Sequence, residues 1–113
     1  MSKILDNQQS VGRGFVIPTS KLKGGEFSFH AIADGSSGPF SAVVRIDVSN
    51  DPTEGQNKEW IVGDPPAIRF TLSGTSGTPD NLGAPMIIKW DYISAYVESI
   101  SGTGAFVDMY MGV

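Results

Sequence analysis

Apolar and polar residues alternate along much of this chain with a period of two. From Glu26 to Ala33, Phe27, Phe29 and Ala31 fall on one side, and Glu26, Ser28 and His30 on the other. That period marks a half-buried strand, because successive side chains point to opposite faces. Ser41 to Val48 repeats the pattern: Ala42, Val44, Ile46 and Val48 are expected to face a core, and Val43, Arg45 and Asp47 to face water or a partner. Ile68, Phe70 and Leu72 alternate with Arg69, Thr71 and Ser73. Ile93, Ala95 and Val97 share a face, as do Ala105, Val107, Met109 and Met111, opposite Phe106, Asp108 and Tyr110. Phe15-Val16-Ile17, stopped by Pro18, Trp60-Ile61-Val62 and Met86–Trp90 read as shorter strands, the last either separate from Tyr92–Ile100 or one bent strand with it.

Turn-forming residues separate these runs. Leu22–Gly25, Asp34–Pro39 and Gly63–Pro66 read as turns or short loops, and Ser49–Lys58 and Ser73–Pro85 as long ones. Ser101-Gly102-Thr103-Gly104 predicts a tight hairpin turn between the last two strands. Seven or eight short strands follow, with no segment of helical period. The expected fold is all-β, an antiparallel β-sandwich resembling a jelly roll. Residues 14–113 form its single domain. Residues 1–13 are polar apart from Ile4 and Leu5, Val11 and Met1. They read either as a frayed terminus or as an N-terminal arm extended onto a neighbouring subunit, with Ile4 and Leu5 as anchors.

Composition sharpens this picture. At 113 residues the chain has the length of one domain, able to bury a core without covalent staples. It has no cysteine, so disulfides and thiolate metal sites are out. Fourteen glycines and seven prolines beside many β-branched and aromatic residues fit strands divided by sharp turns. The net charge is −4 and the eight Lys and Arg residues are scattered, which argues against nucleic acid as partner, since phosphate binding needs clustered cations. No apolar run approaches the roughly 20 residues of a membrane helix. The first residues lack the apolar stretch of a signal peptide, so neither a membrane span nor standard export is expected.

Candidate chemistry is sparse. The single histidine, His30, stands on the polar side of its strand with no Asp or Cys beside it in sequence, and reads as a surface residue. Asp47, Glu54, Glu59 and Glu98 are carboxylates from which a glycosidase pair would have to be drawn, but their spacing selects none. Asp47, Asn50, Asp51 and Glu54 have oxygens suited to calcium, without the spacing of an EF-hand loop, and Asn-Asp-Pro is also ordinary turn chemistry. The glycine-rich Ser73–Thr78 lacks the lysine of a phosphate loop. The expectation is a non-enzymatic protein with no catalytic residue, cofactor or metal. The aromatics are more telling: Tyr96 and Tyr110 fall on polar strand faces, where they either pack beneath a loop or mark a protein interface or sugar platform.

The cadence Asp47-Val48-Ser49-Asn50-Asp51, a loop and Trp60, then Trp90-Asp91-Tyr92-Ile93-Ser94-Ala95-Tyr96-Val97 and Ser99-Ile100-Ser101-Gly102-Thr103-Gly104-Ala105, resembles small virion structural proteins of tailed bacteriophages, above all head decoration or cement proteins. The likeness spans about residues 42–113. It implies a β-sandwich, often a homotrimer, attached to the outside of a capsid and bridging the major capsid protein or other virion subunits. It implies synthesis in the host cytoplasm and a final location on the capsid surface. Ile4, Leu5, Tyr96 and Tyr110 are then the candidate interface. The alternative is a carbohydrate-binding or receptor-binding module of a phage tail, with Trp60, Tyr96 or Tyr110 stacking on sugars and Asn50, Asp51 or Asn57 bonding hydroxyls.

Overall fold

A computed structural model describes residues 2–22, 24–54, 58–61 and 68–112, without the side chains of Ser2 and Leu22. The predicted turn at Gly63–Pro66, the end of the predicted strand at Val62, and Lys23 and Asn57 lie outside the described residues. The described strands are β1 (Ser2–Gln8), β2 (Gly12–Pro18), β3 (Glu26–Asp34), β4 (Ser37–Ser49), β5 (Ile68–Thr75), β6 (Asp80–Ile87), β7 (Tyr92–Thr103) and β8 (Phe106–Gly112), with one 3-10 turn at Ser20–Leu22.

The strands form two four-stranded antiparallel sheets, ordered β1-β8-β3-β6 and β2-β7-β4-β5. Among these strands, every connection except β4–β5 passes from one sheet to the other. This is the winding of an eight-stranded jelly roll. The inward residues expected on β3, β4, β5, β7 and β8 are buried, apart from the partly buried Ile68, and they meet in one core between the sheets. Each large aliphatic or aromatic side chain buried there contributes roughly 1.5–3 kcal/mol.

The predicted arm is instead the edge strand β1 of this chain's own sheet. Ile4 and Leu5 are fully buried in its core. Two neighbours both point inward because Lys3–Leu5 spans three residues opposite the two of Tyr110-Met109. That irregularity is a β-bulge, which breaks the alternation. Bulged β1 lies against β2 so closely that a Cβ on Gly14 would come within 2.5 Å of the Ile4 carbonyl oxygen and of Leu5.

Three further expectations are corrected. Residues 80–85, read as part of a long loop, belong to β6 (Asp80–Ile87), and the Ser73–Pro85 segment contains only a short turn. Met86-Ile87 therefore ends β6, and Met86–Trp90 and Tyr92–Ile100 are not one bent strand. Residues 37–39, read as loop, already belong to β4. The predicted β7–β8 hairpin is not one: β7 pairs with β2 and β4, β8 with β1 and β3. Its turn carries the chain across the sandwich. Gly102 has φ +115°, and a Cβ there would lie 2.6 Å from the Pro39 carbonyl oxygen, so glycine is needed for both conformation and space.

Candidate functional site

The outer face of β2-β7-β4-β5 is built around a cross-strand row. Arg13 on β2 lies opposite Tyr96 on β7, Tyr96 opposite Arg45 on β4, and Arg45 opposite Arg69 on β5. The Tyr96 ring sits between two guanidiniums, with Arg13 at 5.1 Å and Arg45 at 4.2 Å from its centroid. Asp47, one step along β4, is completely buried and accepts hydrogen bonds from Arg13 Nη2 (3.0 Å) and Arg45 Nε (2.9 Å). It was expected to face water or a partner; a covering segment buries it. Glu98 links Arg45 Nη1 (3.3 Å) to Arg69 Nη2 (2.8 Å). The result is a ladder, Arg13–Asp47–Arg45–Glu98–Arg69. Glu98 is held below the usual carboxylate range, first by its bond from Arg69 and then by Arg45.

The cover is the chain after β4. Ile61 N–H donates to the Val48 carbonyl, and Trp60 stacks on the Arg13 guanidinium at 4.4 Å. Asp51 organises the turn: its Oδ1 accepts from Thr53 N–H and Oγ1, its Oδ2 from Glu59 N–H at 2.7 Å. Those bonds, Glu59 N–H foremost, bring its carboxyl down to about 2. The Lys58 ammonium donates to the carbonyls of Asp51 and Thr53 and lies 3.7 Å from the Tyr92 ring centroid. These contacts occupy the oxygens that the calcium reading would use. Asp47 is engaged by two arginines, Asp51 by N–H and O–H donors, and the nearby carbonyls already face a cation, Lys58. Among the described residues, no group of three or more His, Asp or Glu side chains converges as metal ligands.

Among the described residues, no segment covers the outer face of β1-β8-β3-β6. Three rows cross it: Pro85, Ser28 and Gly112; Gly83, His30, Tyr110 and Lys3; Asn81, Ile32 and Asp108. Ser28, His30, Ile32, Tyr110 and Gly112 line a shallow groove of about 340 Å³. His30 Nε2 lies 3.3 Å from Asn81 Oδ1. At the rim Lys3 Nζ bonds Asp6 at 2.9 Å and Asp108 at 3.2 Å, and stands 5.6 Å from the Tyr110 centroid. Asp6 foremost, then Asp108, raises the Lys3 ammonium above its ordinary value.

Exposed large apolar side chains sit elsewhere. Among the described residues they are Val11, Phe15, Ile61, Leu82 and Ile87. Phe15 lies on β2 and Val11 just before it, on the edge where β1 and β2 stack; Leu82 and Ile87 lie on opposite sides of β6, at the other edge beside β5. Ile61, on the covering segment, is the exception. The expected interface residues thus scatter: Ile4 and Leu5 go to the core, Tyr96 to the ladder, Tyr110 to the groove. Sequence reasoning missed the ladder, although Arg45, Asp47 and Arg69 on outward positions were its visible half.

The fold and these surfaces define the class: an eight-stranded jelly-roll sandwich with one outer face partly covered and, among the described residues, no cover on the other. No protein-family model matches the chain, and neither a curated protein nor a solved structure matches it.

Proposed function

We propose that this chain is a non-enzymatic structural subunit of a virion, a capsid decoration or cement subunit that joins copies of itself and bridges capsid subunits. The observation that carries the reading is the placement of Phe15 and Val11 on one lateral edge and of Leu82 and Ile87 on the opposite edge. Two unlike patches on opposite sides suit head-to-tail contact, which closes into a ring such as a trimer. Backbone pairing between edges is blunted by the bulges of β1 and β2 and by Pro85 on β6. Contact would therefore run through side chains. Many copies on one lattice convert weak single contacts into firm attachment. The virion context comes from the sequence resemblance over residues 42–113.

Light scattering tests the assembly. The native chain is expected at three times its 12.0 kDa mass, and Phe15→Asp or Ile87→Asp at the monomer mass with an unchanged circular-dichroism spectrum. A native chain that stays monomeric at every concentration overturns the ring. For the cement role, capsids carrying the subunit should withstand higher temperature than capsids lacking it; equal durability overturns that role.

A further inference from the structure

We propose that the groove on the outer face of β1-β8-β3-β6 is a binding site for a neutral carbohydrate, a function separate from assembly through the edges. Its size, about 340 Å³, lies within the range of small-ligand sites. Its lining includes the apolar Ile32, the aromatic Tyr110 and the side-chain-free Gly112. Its polar groups are of one kind. The Ser28 and Tyr110 hydroxyls and the Asn81 amide each offer both a donor and an acceptor, and the His30 ring adds hydrogen-bonding nitrogens beside them.

Such groups match sugar hydroxyls, which also donate and accept. Ligands of fixed polarity, such as phosphates, carboxylates or ammonium groups, would call for an unpaired opposite charge. The charges at the rim, Lys3, Asp6 and Asp108, already satisfy one another. One sugar ring would lay its C–H face on Tyr110, with hydroxyls reaching Ser28 and His30, and His30 steadied by Asn81. The aromatics of the other face carry nearer cations, Arg13 at 4.4 Å from Trp60, Arg45 at 4.2 Å from Tyr96 and Lys58 at 3.7 Å from Tyr92, against 5.6 Å for Lys3 at Tyr110. The site is therefore distinct from the stacking surface that Trp60 and Tyr96 suggest in sequence.

The test is an NMR titration of the isotope-labelled full chain with maltohexaose, cellohexaose and chitohexaose. At least one should give saturable shifts confined to Ser28, His30, Ile32, Asn81, Tyr110 and Gly112. Tyr110→Ala and the exposed substitution His30→Ala should each weaken binding by about tenfold or more, the loss of one stacking or hydrogen-bonding partner. Phe15→Asp should leave binding intact while changing the oligomeric mass, which separates this site from the assembly reading. Silence with all three probes overturns the proposal, as do shifts centred on Trp60 and Tyr96 or full binding by both groove variants.

Discussion

The two outer faces of this sandwich answer the same physical problem in opposite ways. A sheet with its core side packed still presents every second side chain outward. On β2-β7-β4-β5 those positions carry arginines, carboxylates and Tyr96, and the chain after β4 folds back to bury Asp47 completely. On β1-β8-β3-β6 they carry glycines, Ser28, Ile32 and His30, with no covering segment among the described residues, and a groove remains. The first face spends its charges on itself. The second keeps neutral groups available. A buried carboxylate tolerates only satisfied surroundings, because an unpaired buried charge is costly, so the ladder is a structural element. Exposed neutral groups carry no such constraint and are free to meet a ligand.

The largest expected contrast comes from Asp47→Ala. It leaves two guanidiniums facing each other across Tyr96 without their buried carboxylate. Urea unfolding should show a loss of about 3–5 kcal/mol, against a change within about 0.5 kcal/mol for His30→Ala on the exposed groove face. Comparable losses for both variants would mean that the ladder adds no special stability.

Titration should part the faces next. Glu98 and Asp51, both on the covered side, have depressed pKa values in the folded state. Their contribution is present above the unfolded carboxylate range and is lost as pH falls through the folded values, for Asp51 from the ordinary 3.8 toward about 2. Lys3, beside the groove, is raised. Its contribution is present below the ordinary 10.5 and is lost as pH climbs through the higher folded value. Unfolding midpoints measured across pH should therefore drop at both ends. Glu98→Gln should flatten the acid limb alone, and Lys3→Met the alkaline limb alone. An acid limb unchanged by Glu98→Gln would contradict its pairing with Arg69 and Arg45.

The smallest effect belongs to the ladder's outer end. The Arg69 side chain is 46% exposed, so solvent screens its bond to Glu98. Arg69→Ala should cost less than about 1 kcal/mol in the same urea assay. A loss as large as that of Asp47→Ala would show the ladder to be rigid to its tip rather than anchored at its buried end.

How much of this was legible in the chain varies by element. β3, β4, β5, β7 and β8 are buried on one side, and their alternation names the core residues correctly. β6 escaped because Gly83 and Pro85, between its inward positions Leu82, Ala84 and Met86, read as turn residues. It pairs on one side only, with β3, so a proline and a glycine are tolerated there. β1 escaped because its bulge turns the adjacent Ile4 and Leu5 to the same side. Of the two surfaces, Arg45, Asp47, His30 and Tyr110 were visible as outward residues of single strands. Tyr96 and Ser28 were visible in the same way; what joins β3 to β8, and Arg13 and Tyr96 to Arg45, is cross-strand register, which cannot be read from one strand's pattern.

By itself the sequence determined the class of structure: a cysteine-free all-β sandwich, with inward faces named residue by residue, because period two is a local property of an extended backbone. Only the tertiary structure decided which strands share a sheet, that the β7–β8 turn crosses the sandwich, and that Asp47 lies buried while His30 stays open. Those outcomes depend on pairing between segments distant along the chain, and a turn or an alternating run has no means of specifying its partner.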